Sequence, residues 1–167
     1  SSNDLQWATI SSGASSINDL SDAKTFGTNS IMIGDATTGT IDAANNNTGV
    51  GIDVFAALTS GDDNTAIGKG ALTANTTGGS NVAVGSIALD ANTTGVSNTA
   101  VGKGALSTAT TASSNTAMGA NALNACTTGA TNTAVGSGAG ESITTGQRNV
   151  FVGIEAGATM TTGQENC

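Results

Sequence analysis

The sequence predicts an all-β protein, a parallel β-solenoid or β-roll built from 17-residue coils with two short strands in each coil. The pentad Asn-Thr-Ala-Val-Gly, with conservative replacements, recurs every 17 residues from residue 47 to the C-terminus without insertion or deletion. The pattern lacks the 3.6-residue periodicity of an amphipathic helix. Large side chains are rare, with three Phe, one Trp and no Tyr, so the thick core of an ordinary globular domain is not expected.

Every repeat predicts the same elements in the same order. The pentad is a strand, and the glycine that ends it is a turn residue with a positive φ or a close backbone approach. The Ala-Leu pair that follows predicts the second strand, and Thr-Thr-Gly predicts the second turn. The predicted turn glycines are Gly51, Gly68, Gly85, Gly102, Gly119, Gly136 and Gly153. Residues 30–167 are the predicted array, with Ser30–Gly34 as a degenerate first copy, and residues 1–29 are an attachment or linker segment.

Stacked coils place equivalent residues above one another at the ordinary strand spacing. The asparagine that opens each pentad is therefore expected to link its side-chain amide to the next coil, as in stacked asparagine ladders. The predicted ladder is Asn47, Asn64, Asn81, Asn98, Asn115, Asn132 and Asn149.

Two apolar positions of each repeat are predicted to form the core. The pentad position is Val50, Ile67, Val84, Val101, Met118, Val135 and Val152, and the second-strand position is Leu72, Leu89, Leu106 and Leu123. About three such side chains per coil contribute roughly 5 kcal/mol, whereas ordering each residue costs about 1.5 kcal/mol before backbone pairing is counted. Association of copies is expected to supply the missing burial. The smooth stripe on which copies would pack is Ala66, Ala83, Ala100, Ala117 and Ala134.

Charge and composition exclude several classes of function. The net charge of -8 argues against binding to nucleic acid or to an anionic membrane, and no run of about 18 apolar residues predicts membrane insertion. The absence of histidine excludes histidine-based triads and histidine metal sites. We therefore predict no enzyme activity, no catalytic residue, no cofactor and no metal site.

Four local features are read as structural. Lys69 and Lys103 each lie between two glycines, in a superficial likeness to a phosphate loop that turn chemistry explains better. Asp53 and the Asp62-Asp63 pair could offer oxygen ligands to Ca²⁺, but solvated turns are favoured. Cys126 and Cys167 are too few for a disulfide framework, and Cys126 is read as a small packed residue. Trp7 is read as local packing or as an anchor for a partner.

The repeat resembles two groups of fibrous proteins. Asn-Thr-Ala-Val-Gly followed by Ala-Leu and a second glycine turn is similar to the head repeats of YadA-like trimeric autotransporter adhesins. It resembles more closely the arrays in phage tail-fibre proteins, where a segment like Ser16–Thr25 commonly precedes them. The resemblance implies a left-handed, homotrimeric roll. The adhesin coil has 14 residues rather than 17, so spacing alone implies neither handedness nor trimer geometry.

The expected function is that of a structural shaft in a phage tail fibre that supports host attachment. The expected location is the virion, with residues 1–29 joined to an upstream component and a distal domain, not present here, contacting the host receptor. The expected assembly partners are copies of the chain itself. The first alternative is a bacterial trimeric adhesin head on the cell surface. The second is an ice-binding β-solenoid that would present its Thr-Thr columns, of which only one would face outward.

Overall fold

The computed structural model describes residues 23–26, 30–33 and 43–166. Nine short strands in these residues form one sheet, in which the strands follow one another in chain order. Strand β1 (Ala23–Phe26) pairs antiparallel with β2 (Ser30–Ile33), and every later pair is parallel. The remaining strands are β3 (Thr48–Val50), β4 (Thr65–Ile67), β5 (Val82–Val84), β6 (Thr99–Val101), β7 (Thr116–Met118), β8 (Thr133–Val135) and β9 (Val150–Val152).

Parallel partners are 17 residues apart throughout. Ala66 pairs with Ala83, and Ala83 pairs with Ala100. The degenerate copy follows the same rule, because Met32 pairs with Gly49. The prediction of a parallel β-solenoid with 17-residue coils is therefore confirmed. At the usual strand separation, strands β2 to β9 rise roughly 34 Å along the axis.

The prediction of two strands per coil is wrong, since each coil contains one strand of three residues. The Ala-Leu segment is a series of turns because its leucine has left-handed backbone angles, with φ of 51° at Leu72 and 52° at Leu106. A residue in this conformation interrupts the extended backbone of a strand. The segment still bonds to the next coil, as the Leu72 amide donates to the Ala88 carbonyl at 3.1 Å.

The pentad glycines form a column at the turn that follows each strand. All seven have φ between 125° and 142°, a region that side chains rarely adopt. The first six, Gly51 to Gly136, also lie very close to the next coil. A Cβ on Gly85 would lie 2.5 Å from the carbonyl oxygen of Gly102, so a side chain there would push the two coils apart.

The pentad position of the predicted core and the predicted alanine stripe face the opposite way from the prediction, whereas the leucines of the predicted core are buried as predicted. The alanines of the stripe, Ala66, Ala83, Ala100, Ala117 and Ala134, are fully buried inside the solenoid. The predicted core position faces outward, with Val50, Ile67, Met118, Val135 and Val152 exposed and Val84 and Val101 half-buried. The leucines Leu72, Leu89, Leu106 and Leu123 are fully buried.

The alternation of a β-strand explains this reversal. Residues two apart in a strand point to the same side, so Asn64 and Ala66 share one face while Thr65 and Ile67 share the other. The asparagine column is inside, and the alanine must therefore be inside as well. Since leucines and asparagines already occupy the narrow interior, only a small residue fits between them.

Residue volumes compensate at both ends of the core. Where Phe55 replaces the leucine, Gly49 replaces the alanine, and a Cβ on Gly49 would lie 3.2 Å from the Phe55 ring. Where Phe151 replaces the alanine, glycines replace the leucines. A Cβ on Gly140 would lie 2.7 Å from the Phe151 ring, and one on Gly157 would lie closer still. The interior thus keeps a nearly constant filling from coil to coil.

Candidate interaction surface

The buried asparagines form a continuous ladder inside the solenoid. In each step the side-chain amide donates to the amide oxygen of the preceding asparagine, as from Asn81 to Asn64 at 3.1 Å. The backbone amide of Asn81 donates to the same oxygen at 3.0 Å. The second side-chain hydrogen goes to the Gly95 carbonyl at 2.9 Å. All the predicted ladder members are buried in this arrangement, namely Asn47, Asn64, Asn81, Asn98, Asn115, Asn132 and Asn149.

Asn166 extends this column by one step beyond the predicted list. Its side-chain amide donates to Asn149 at 2.8 Å. At the other end, the Ser30 hydroxyl accepts a bond from the backbone amide of Asn47 at 2.9 Å and so takes the place of an asparagine oxygen. The ladder therefore runs from β2 past β9. From Asn64 to Asn149, each asparagine donates one side-chain hydrogen to the preceding ladder oxygen and the other to a backbone carbonyl 14 residues later.

A second buried column contains mixed residues. Asn92 donates to Asn75 at 2.9 Å, but the column then continues with Ala109, so the side-chain oxygen of Asn92 accepts no hydrogen bond within the described residues. Cys126 follows, and its thiol contacts the Gly129 carbonyl at 3.5 Å. Burial raises the pKa of this thiol to about 11, which disfavours the reactive thiolate at neutral pH. Cys167 and Trp7 lie outside the described residues.

In each threonine pair the two residues have different surroundings. The first threonine of a pair bonds to the next coil, as from Thr76 to the Thr93 carbonyl at 3.0 Å and from Thr144 to the Thr161 carbonyl at 3.1 Å. The second threonine of each pair, such as Thr77, is exposed. The pairs thus present one outward column of hydroxyls.

The acidic and glycine-lysine features lie in turns. Asp62 accepts a bond from the backbone amide of Asn45 at 2.7 Å, and Asp63 accepts one from the Asn46 side chain at 3.0 Å. Asp53 has a left-handed φ of 57° in a different turn. Within the part of the chain that the structure describes, no three Cys, Asp or Glu side chains are grouped to hold a metal ion.

The outer side of strands β3 to β9 is a regular surface, and we call it the strand face. It has two columns of outward-pointing residues. One is Thr48, Thr65, Val82, Thr99, Thr116, Thr133 and Val150, and the other is Val50, Ile67, Val84, Val101, Met118, Val135 and Val152. None of these residues is charged, and the exposed fraction is 41% at Ile67 and 45% at Met118. One column is apolar throughout and the other is mostly threonine. Exposed apolar side chains arranged in this way are typical of interaction surfaces.

The two edges of the strand face differ in charge. The edge that follows the strands carries Lys69 and Lys103, both exposed. The edge that precedes the strands carries Asp63, Arg148 and Glu165, also exposed, of which the last two form a salt bridge at 2.9 Å. Sequence reasoning missed this surface because it assigned its central residues to the core. The strand alternation and the glycine-lysine spacing were the signals that could have found it.

Comparisons with family models, with curated proteins and with solved structures each found no match for this chain. Residues 23–26, 30–33 and 43–166 contain no helix that is long and apolar enough to cross a membrane.

Proposed function

We propose that this chain is a structural shaft segment of a phage tail fibre that supports host attachment. The observation that carries the proposal is the unbroken stack of coils. Strand pairing joins every coil from β2 to β9, and the asparagine ladder passes through the same coils without a gap. A stack in which equivalent groups bond at every step resists bending and local opening, which suits a load-bearing rod.

The same role needs several copies of the chain, and we propose a homotrimer of left-handed coils. The strand face supports this assembly because it presents an apolar column beside a column that is mostly threonine, and neither column carries a charge. Covering them with neighbouring copies would add the burial that a thin interior lacks. The alanine stripe cannot serve this purpose, since it is already buried inside each chain.

In this role the chain has partners at both ends of the fibre. Residues 1–29 join the shaft to an upstream virion or fibre component, and a distal domain outside this chain contacts the host receptor. The protein is then located on the virion. No nucleic acid partner is proposed, because the net charge is -8.

A bacterial trimeric adhesin head is the alternative that uses the same architecture. Immunogold labelling of the intact particle or cell that carries the protein distinguishes the two. Labelled fibres on a virion support the shaft, labelled bacterial surfaces support the adhesin, and label confined to the cell interior overturns both. The ice-binding alternative is less favoured because the threonine pairs give a single exposed column. Measurable thermal hysteresis in solution would revive it.

Sedimentation equilibrium tests the assembly itself. The chain has a mass of 15.9 kDa, and we expect a species of three times that mass at micromolar concentration. A folded monomer under these conditions would overturn the homotrimer.

A further inference from the structure

We infer that copies of this chain associate in parallel and in coil register, with Lys69 of one copy beside Asp63 of the next. This inference rests on the proposed function, because it specifies how the strand faces of the proposed homotrimer meet. Its partner is a second copy of the same chain.

The placement of the two residues around strand β4 is the first argument. Asp63 lies two residues before this strand and Lys69 lies two residues after it, so they stand on opposite edges of the strand face at the same coil. Both side chains are exposed. In a ring of parallel copies whose strand faces point to a common axis, the following edge of each copy adjoins the preceding edge of its neighbour. A parallel ring in register therefore brings Lys69 and Asp63 together at every interface.

The other residues on the edges agree with this register. At the level of β6 the ring pairs Lys103 with Ser97, and at the level of β9 it pairs Arg148 with Ile154. No two like charges meet at either level. If two strand faces packed in antiparallel orientation, each edge would instead lie against the same edge of the other copy. The two lysine-bearing edges would then adjoin. Charge complementarity thus favours the parallel ring.

Charge exchange at these two positions is the experiment. We expect Lys69→Asp and Asp63→Lys each to raise the chain concentration at half-assembly by roughly tenfold in low salt, because an exposed pair is replaced by repulsion at each interface. The double variant should return to within about twofold of the wild type. Approximately 1 M salt should remove most of the difference, since exposed charges are then screened. Sedimentation equilibrium measures these concentrations.

The chain offers matched controls. Lys103→Asp changes the same kind of residue on the same edge, but its neighbour at that level is Ser97, so we expect less than a threefold effect. A long cation fits the backbone at position 63, because Arg148 occupies the equivalent position with φ 56° against 59° at Asp63. Circular dichroism of each variant verifies that it folds. If a charge-exchange variant does not fold, Asp63→Asn and Lys69→Gln are milder substitutions at the same two positions.

The outcomes separate this inference from the proposed function. A trimeric wild type whose assembly is equally weakened by the single and double variants would overturn the register but leave the homotrimer standing. An effect of Lys103→Asp equal to that of Lys69→Asp would also overturn it. A monomeric wild type would overturn the homotrimer and this inference together.

Discussion

Each ladder asparagine from Asn47 to Asn149 uses its full side-chain hydrogen-bonding capacity inside the solenoid. Asn98 donates from its side chain to the Asn81 oxygen at 3.2 Å and to the Ala112 carbonyl at 2.8 Å. Its own side-chain oxygen accepts from the backbone and side-chain amides of Asn115, at 3.0 and 3.2 Å. Burial of a polar side chain is tolerated here because none of its groups is left without a partner.

Replacement of one ladder asparagine tests this account. We expect Asn98→Ala to lower the free energy of unfolding by about 3–5 kcal/mol, because Ala112 and Asn115 then keep buried polar groups without partners. Chemical denaturation measures the change. Asn121→Gly is the control, since Asn121 is exposed and Gly104 and Gly138 occupy the same position in other coils. Its expected effect is below about 1 kcal/mol, and an Asn98→Ala effect that small would contradict the ladder's role.

The partly buried position of Asp90 disfavours the ionised form of its carboxyl group. One carboxyl oxygen is buried and accepts no hydrogen bond within the described residues, and burial raises the pKa of this carboxyl above its usual range. The folded chain therefore takes up a proton at Asp90 at a higher pH than the unfolded chain does. Stability from this group rises as the pH falls through the raised pKa, and it is lower at neutral pH.

The variant Asp90→Asn removes this titration. We expect it to unfold at a higher temperature than the wild type at pH 7, with the difference shrinking as the pH is lowered through the pKa of Asp90. The asparagine can also donate to carbonyls as Asn124 does in the equivalent position, where it bonds to Gly104 at 3.1 Å. Thermal melts from pH 7 to about pH 3 measure the effect, and a difference that grows toward low pH would contradict it.

At the scale of a coil, pairs of positions share a fixed volume. A Cβ on Gly78 would lie 2.5 Å from the side-chain oxygen of Asn75 and closer still to the Gly95 carbonyl oxygen of the next coil. An asparagine in the second buried column therefore leaves little room for a side chain three residues later. Where the later position is Ala112, the earlier one is also alanine, Ala109. The pair is therefore one structural unit rather than two independent substitutions.

A double-mutant cycle on this pair tests the rule. We expect Ala109→Asn alone to cost about 1–3 kcal/mol through overpacking against Ala112, and Ala112→Gly alone to cost about 1 kcal/mol. In the double variant the new amide can donate to Asn92, as Asn92 donates to Asn75. The expected coupling is about 2 kcal/mol in favour of the double variant. Urea denaturation of the four proteins measures it, and additive costs would contradict the shared volume.

The sequence was sufficient to predict the 17-residue coil but not to predict which side chains lie inside it. A strict 17-residue spacing predicted the parallel stack, because coils of equal length place equivalent residues above one another only when they are stacked. It did not reveal which face of the strand is inside. Valine is more apolar than alanine, yet Ala100 is buried and Val101 is half-buried, because the space left by Asn98 and Leu106 determines what fits. Hydrophobicity alone does not indicate how much space is available, whereas strand alternation from Asn98 predicts the correct inward face.

The missing second strand has a similar cause. The Ala-Leu pair has the composition of a short strand, but its leucine adopts left-handed backbone angles, which non-glycine residues rarely do. Local propensity predicts an extended backbone for this segment. The need to bring Leu106 into the interior immediately after a turn overrides it, and that need arises only from the closed coil.

At the scale of the whole molecule, stability depends on contact between neighbouring coils, and the pentad glycines Gly51 to Gly136 form one of the places where the backbones come close. This dependence can be tested at two glycines with similar backbone angles but different surroundings. Gly85 has φ 139° and faces the Gly102 backbone, whereas Gly153 has φ 125° and a Cβ there would meet only the Ala156 side chain, at 3.9 Å. Both positions carry the conformational cost of a side chain, but only Gly85 carries a clash with the next coil.

We therefore expect Gly85→Ala to cost several kcal/mol more than Gly153→Ala, for which about 1–2 kcal/mol is expected from the backbone conformation alone. Because each coil contacts mainly its neighbours, the loss at Gly85 should also be localised. Hydrogen exchange should show faster exchange at the backbone amides of Val82, Thr99 and the turns between them, with β8 less affected. Equal costs for the two variants would mean that close stacking at the glycine column does not limit stability. Uniformly faster exchange along the chain would mean that the coils unfold as one unit rather than as neighbours that support one another.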